Sequence, residues 1–291
     1  MANLLNLLIT GLATGAIYAL VAIGFTLLWQ TSQTINFAQG EFVMLPAFFM
    51  LAAAHAGVPF WIAIIFGIVV SMLLLGLVFK KALVDPMLKH GVLPLAIATM
   101  ALSIGMKESV KEFFTAEAQP FPSIIPASNI EIFGAIISAQ SVGVFLLGII
   151  AVFGLNALLT KTSIGHQMQA AAQNPTVARI VGVPVERMIM YTFLINAFLV
   201  ALASLLITPI YLAKFSSGEI LGQAAFIAAI VGGFNQVRGA IAGGLLLGVV
   251  DNLAATYIST QYRGAIPLFL LVIVILFRPQ GLLGRAEERT V

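Results

Sequence analysis

The chain has 291 residues, of which 60% are hydrophobic and 9% charged, with a formal net charge of +3 and no cysteine. A soluble domain carries about 25% charged residues, so this chain has too little polar surface to cover a water-soluble body. With a mean hydropathy of +1.08, the composition describes an all-α integral membrane protein. It excludes disulfides, a thiolate nucleophile and a cysteine metal site, and its small, dispersed charge does not imply nucleic acid.

The N-terminal MANLLNLL lacks the positive stretch of a signal peptide, so the first apolar run is expected to stay as a span. Windows of about 20 residues mark apolar segments, nine in all: Leu4 to Leu28, Glu41 to Ala56, Phe60 to Phe79, Val92 to Phe114, Ser141 to Thr160, Met188 to Leu212, Glu219 to Phe234, Ala240 to Ile258 and Ala265 to Phe277. The second and seventh are short. A polar loop, KKALVDPMLKHG, is expected after the third, a proline-rich loop after the fourth, and the longest polar insertion, Lys161 to Arg187, after the fifth. The whole is read as one transmembrane domain over residues 1–291 with eight or nine spans.

Lysine and arginine set the expected orientation. With the N-terminus outside, the inner loops hold Lys80, Lys81, Lys89, Lys161, Arg179, Arg187, Arg238, Arg278, Arg285 and Arg289, and the outer ones hold Lys107, Lys111, Lys214 and Arg263. Positive charge collects on the cytoplasmic side, which favours an outer N-terminus and an inner C-terminus.

Each short segment opens on the same motif. Phe37-Ala38-Gln39-Gly40-Glu41 and Phe215-Ser216-Ser217-Gly218-Glu219 both read Phe-x-x-Gly-Glu. In the assigned topology they head oppositely directed segments, as an inverted repeat with discontinuous helices requires. Glycine is expected to release the backbone from helical geometry, and a Glu in the first turn meets the positive end of the helix dipole. A carboxylate in the hydrocarbon must face protein or water. Two readings of Glu41 stand at this point: a capping acid at the headgroup level, or a polar group beside a translocation path together with Asn36, Phe37, Gln39, Gly40, Gly218 and Glu219.

Asp251 and Asn252 lie in an apolar run and are expected to make an interhelical hydrogen-bond network. Gly239/Gly243 and Gly244/Gly248 are GxxxG pairs suited to packing within the chain, whereas Gly11 and Gly15, near the terminus, also suit contact with another subunit. In the polar insertion, a helix over Gln167 to Gln173, a break at Asn174-Pro175, a second helix over Thr176 to Val181 and a C′ residue at Gly182 are expected. Its small residues Ala170, Ala171, Ala172 and Ala178 suit close docking into a groove on a soluble partner, or a helix lying at the headgroups. No GxxxxGK[ST], HExxH or G-x-S-x-G occurs, and His55, His90 and His166 are scattered. No catalytic pair, metal site or cofactor is expected, and the chain reads as a transport path without an engine.

Four blocks carry a resemblance. Gly11 to Phe42 ends in Asn36-Phe37-Ala38-Gln39-Gly40-Glu41. Gln169 to Arg187 has an Ala-rich helix, a polar turn and the step Gly182-Val183. Ala224 to Gly248 runs from a Gly-Gly pair into a glycine-rich helix. Leu276 to Gly284 reads LFRPQGLLG. In that order they resemble the first permease of ATP-binding-cassette importers for branched-chain (hydrophobic) amino acids. Gln39 stands where a His is common, Pro46 where Gly is usual, and Phe234 to Arg238 where a Gly-Ser turn is expected; these departures bear on cargo rather than fold. The resemblance implies a second homologous permease, two ATPase subunits, a periplasmic substrate-binding protein and the bacterial inner membrane. It makes Gln169, Ala170, Ala171, Ala172, Asn174, Ala178 and Gly182 the element coupled to the ATPases. A urea or short-amide importer shares these motifs, and a stand-alone carrier or channel is the other alternative.

Overall fold

The computed structural model describes residues 2–114, 116–126, 128–132, 135–260 and 264–284. Arg263, Arg285 and Arg289, used above for orientation, lie outside them. Every expected apolar segment is a helix. In chain order these are α1 (Ala2–Ser32), α2 (Gln39–His55) and α3 (Phe60–Ser71). From α3 the chain runs through π-helical turns, Met72–Val78 and Lys80–Val84, into α4 (Asp85–Leu88). Then come α5 (Val92–Phe113), the strands β1 (Asn129–Ile132) and β2 (Ala135–Ser138), α6 (Ala139–Lys161), α7 (Ser163–Gln173) and α8 (Pro175–Ile180). The last four are α9 (Val185–Tyr211), α10 (Ser217–Gly232), α11 (Val237–Tyr257) and α12 (Ala265–Phe277).

Six helical stretches among the described residues are long and apolar enough to cross a membrane: Leu4–Ser32, Phe60–Leu88, Val92–Phe113, Ala139–Lys161, Val185–Tyr211 and Val237–Tyr257. Within a bilayer every backbone polar group needs an internal partner, and the helix supplies it. Two expectations are corrected. The polar stretch after Phe79 is not a loop but a continuation of the helix to Leu88, because Lys80 finds partners inside the protein. The proline-rich connection, expected as a loop, holds an antiparallel hairpin, with Asn129 opposite Ser138 and Ile132 opposite Ala135; the fold is mostly helical, in keeping with an all-α membrane protein.

The chain divides into two compact units. One comprises Met1–Thr26, Ile125–Gly148 and Gln223–Val291; the other comprises Leu27–Ile124 and Ile149–Gly222. In the first, α11 is glycine-lined on two faces. A Cβ added at Gly239 would lie 2.6 Å from the Gly232 carbonyl oxygen on α10, and one at Gly244 would lie 2.5 Å from Ala19 Cα on α1. Gly11 and Gly15 complete the second crossing, meeting Val249 and Leu245 backbone at 2.9 and 2.8 Å in the same sense. They therefore serve packing inside the chain, not a free face for another subunit. Polar side chains lock the crossing: Tyr18 Oη donates to Asp251 Oδ2 at 3.2 Å and Asn252 Nδ2 donates to Thr14 Oγ1 at 3.4 Å.

In the second unit α2 is the central element. Phe48, Met50 and Leu51 pack with Ile64, Phe121 and Leu205 in one apolar cluster. Pro46 interrupts the α2 ladder, since it has no N–H and its ring crowds the preceding turn. At the next residue the Ala47 amide donates to Ser204 Oγ of α9 at 3.1 Å, so the irregular turn is satisfied by the neighbouring helix.

The glycine crossing yields a contrast. Overpacking costs about 1–3 kcal/mol at an ordinary core site, and more where the obstacle is backbone. Gly248→Leu, facing the Gly15 backbone, is expected to abolish the monodisperse peak in size-exclusion chromatography of detergent-solubilised protein. Gly154→Leu, where an added Cβ meets nothing within 4 Å, is expected to leave that peak intact.

Candidate functional site

Asn36 to Glu41 joins the end of α1 to the head of α2. Ala38 N donates to Asn36 Oδ1 at 3.0 Å, and Gln39 N to the Asn36 carbonyl at 3.2 Å. This side-chain turn, favoured by Asn, pairs the Ala38 and Gln39 amides as the chain enters α2. Asn36 Nδ2 also reaches Gln39 Oε1 at 3.4 Å. Gln39 then pairs with Asn196 of α9. Gln39 Nε2 donates to Asn196 Oδ1 at 2.7 Å, and Asn196 Nδ2 donates back to Gln39 Oε1 at 3.1 Å. Both side chains are fully buried, and a reciprocal amide pair is what such burial demands.

Gly40 and Gly218 come together. A Cβ at Gly40 would lie 2.8 Å from the Gly218 carbonyl carbon and 3.1 Å from Gly222 Cα; one at Gly218 would lie 2.9 Å from the Gly40 carbonyl. The two Phe-x-x-Gly-Glu motifs thus meet backbone to backbone at the heads of α2 and α10. Both glycines are helical and neither has a positive φ. Their role is close approach, which corrects the expectation that they break the helix. Glu41 stands in the first turn of α2, as either reading of it requires.

The two glutamates have unequal surroundings. Glu41 is 3% exposed and faces Ser103 of α5. Glu219 is exposed and takes Lys107 Nζ at 2.8 Å. Phe37, at the surface, donates its amide to Thr99 Oγ1 at 3.2 Å. Thr99, Ser103 and Lys107 are four residues apart on α5 and form one stripe that touches both motifs.

The reading of the sequence missed Asn196, Thr99, Ser103 and Lys107. Asn196 carried a usable signal, a lone amide within the apolar run YTFLINAFLVA. The α5 stripe carried a weaker one, a period-four row of Thr, Ser and Lys in an otherwise apolar segment.

The polar insertion folds as two short helices, α7 and α8. Thr162 caps the first, accepting from Gly165 N at 3.0 Å, and Asn174 caps the second, accepting from Val177 N at 3.0 Å. Gly182 closes it with φ of +87°. The small residues divide in a way not foreseen. Ala171 and Ala178 are buried at 1% and 2%, while Gln169, Ala170 and Ala172 are half-buried. Gln169 Nε2 donates to the Leu159 carbonyl at 2.9 Å. The alanines fasten the loop to its own unit, and the outward surface includes Asn174, Val177, Ile180, Val181 and Gly182.

The sequence profile of the family described as "Branched-chain amino acid transport system / permease component" matches residues 7–275. The chain is 29% identical, over 99% of its length and 98% of the relative's, to the high-affinity branched-chain amino acid transport system permease protein BraD of Pseudomonas aeruginosa. It is 29% identical, over 99% of its length and 97% of the relative's, to the corresponding permease LivH of Escherichia coli. No solved structure matches it. The chain belongs to the family of branched-chain amino acid transport system permease components.

Proposed function

We propose that the chain is the membrane permease subunit of an ATP-driven importer for branched-chain or other hydrophobic amino acids. It lines part of the path, couples to two ATPase subunits, and works with a second homologous permease and a periplasmic binding protein. ATP hydrolysis belongs to the ATPases; this chain supplies a conduit and a lever as one permease domain in the inner membrane. Its N-terminus is periplasmic, its C-terminus cytoplasmic, and nine segments cross or enter the bilayer.

The observation that carries this reading is the meeting of two Gly-Glu helix heads beside the Asn36–Gln39–Asn196 amides. In transporters built from inverted repeats, half-helix N-termini converge near the bilayer midplane and turn their positive dipole ends toward the cargo. The heads of α2 and α10 suit that role, and their shared motif supports an inverted repeat. An amino acid is a zwitterion with an apolar side chain. Asn36, Gln39, Glu41 and Glu219 offer it a few polar groups; Phe37, Gly40 and Gly218 offer apolar contact and room.

Uptake of labelled leucine into proteoliposomes holding the complete importer tests this reading. Leaving a buried amide unpaired costs about 1–3 kcal/mol. If part of that falls on the transport step, Gln39→Leu and Asn196→Leu each lower uptake per permease about tenfold or more. Glu41→Gln and Asn36→Ala shift the preference among leucine, valine and small amides. Unchanged uptake and preference in all four variants would remove the cluster from the path.

The loop reading has its own measurement. The chain has no native cysteine, so Asn174→Cys and Ile180→Cys give unambiguous labels. Each is expected to form a disulfide with a cysteine placed in the ATPase groove, and to lose it when the ATPases are omitted. Labelling of both sites from the periplasmic face alone would refute the assigned topology.

A further inference from the structure

Lys80 is a buried ammonium that the path does not use. Its side chain is 6% accessible, and it sits in the π-helical stretch Lys80–Val84. Burying an ammonium is unfavourable unless partners replace its water. Lys80 has two. Nζ lies 2.9 Å from Asp85 Oδ1 on its own helix and 3.8 Å from Glu186 Oε2 in the first turn of α9. Glu186 Oε1 in turn lies 3.5 Å from Arg179 Nη2 on α8. The charges run from an exposed Arg179 and Glu186 inward to a lysine shut off from water.

The residue before Lys80 points the same way. Phe79 meets the fully buried Phe42 edge to face, with centroids 4.9 Å apart at 83°, and leans on Phe193 of α9 at 6.0 Å. Phe42 directly follows Glu41. One turn of helix therefore has its charged end on the polar insertion and its aromatic end on the head of α2. That turn lies within π-helical backbone, Met72–Val78 and Lys80–Val84. Such wide turns are uncommon and tend to occur at functional sites. Asp85 alone would satisfy the ammonium locally; the reach to Glu186 is what joins two elements.

We propose that Lys80 is a positioning residue that ties α8 and the start of α9 to the head of α2, through Glu186 on one side and Phe79 on the other. When α8 moves, Glu186 carries Lys80, and Phe79 carries Phe42 and the Gln39–Glu41 turn. This rests on the proposed docking of the loop on the ATPases, and it names the path by which that docking reaches the cargo site.

The test reads leucine transported per ATP hydrolysed by the complete importer in proteoliposomes, alongside the Asn174→Cys cross-link to the ATPase. Glu186→Gln alters an exposed side chain and is not expected to disturb folding. It should lower transport per ATP about fivefold with the cross-link intact. Lys80→Met should do the same or more, Lys80→Arg should restore most of it, and the double variant Lys80→Met, Glu186→Gln should be no worse than Lys80→Met alone. Asp85→Asn should lower thermal stability in detergent without lowering transport per ATP. Unchanged transport per ATP in Glu186→Gln, or losses that simply multiply in the double variant, would overturn the role given to Lys80. Absence of the cross-link in otherwise native protein would instead sink the docking reading, and is recorded independently of the variants.

Discussion

Backbone-to-backbone approach at glycine is the constraint from which the site and the packing around it follow. In lipid, one apolar helix gains nothing by exchanging acyl chains for another apolar helix; it gains by coming closer than lipid can. Gly40 against Gly218 and Gly222 does this in one unit, and α11 against α1 and α10 does it in the other. At the first crossing the consequence is chemical as well as mechanical. Two helix N-termini, each with amides that lack intrahelical partners, are held side by side. Asn36, Gln39 and Glu41 stand within one turn of that point. A side chain at Gly40 would force the heads apart and separate the dipoles from the amides.

The polar groups around this crossing are arranged so that few are wasted. Gln39 and Asn196 satisfy each other, Asn36 holds the turn, and Thr99 and Ser103 answer Phe37 and Glu41 from α5. A network with its members paired is rigid, and a partly paired one is costly. Pro46 adds to this: the irregular turn it creates is held by Ser204, so α2 keeps its fixed start and is less regular just beyond it.

Much of this was legible in the residues. Hydropathy located each apolar helix, because a bilayer admits little else. The repeated Phe-x-x-Gly-Glu named the two heads, and the Asn174-Pro175 break and Gly182 fixed the shape of the polar insertion. What escaped had physical causes. Lys80 and Lys81 read as loop because a window scores charge and cannot see Asp85 and Glu186 waiting for it. Gly40 read as a helix breaker because a glycine that loosens a backbone and one that admits a neighbour look alike in sequence; only a partner 178 residues away (215 − 37) in the repeat separates them. The alanines of the insertion read as an outward face because small residues pack equally well inward. Asn196 was overlooked because an amide in an apolar run is significant only once its partner is known.

The two motif copies show how a repeat gives unequal halves. The same Gly-Glu pair places Glu41 in the interior beside Ser103 and leaves Glu219 at the surface in an ion pair with Lys107. Lys107 lies one turn beyond Ser103 on α5, so a single helix meets the two copies with different chemistry, a hydroxyl beside Glu41 and an ammonium on Glu219. The repeat supplies two heads of like backbone, and the α5 stripe makes them unlike.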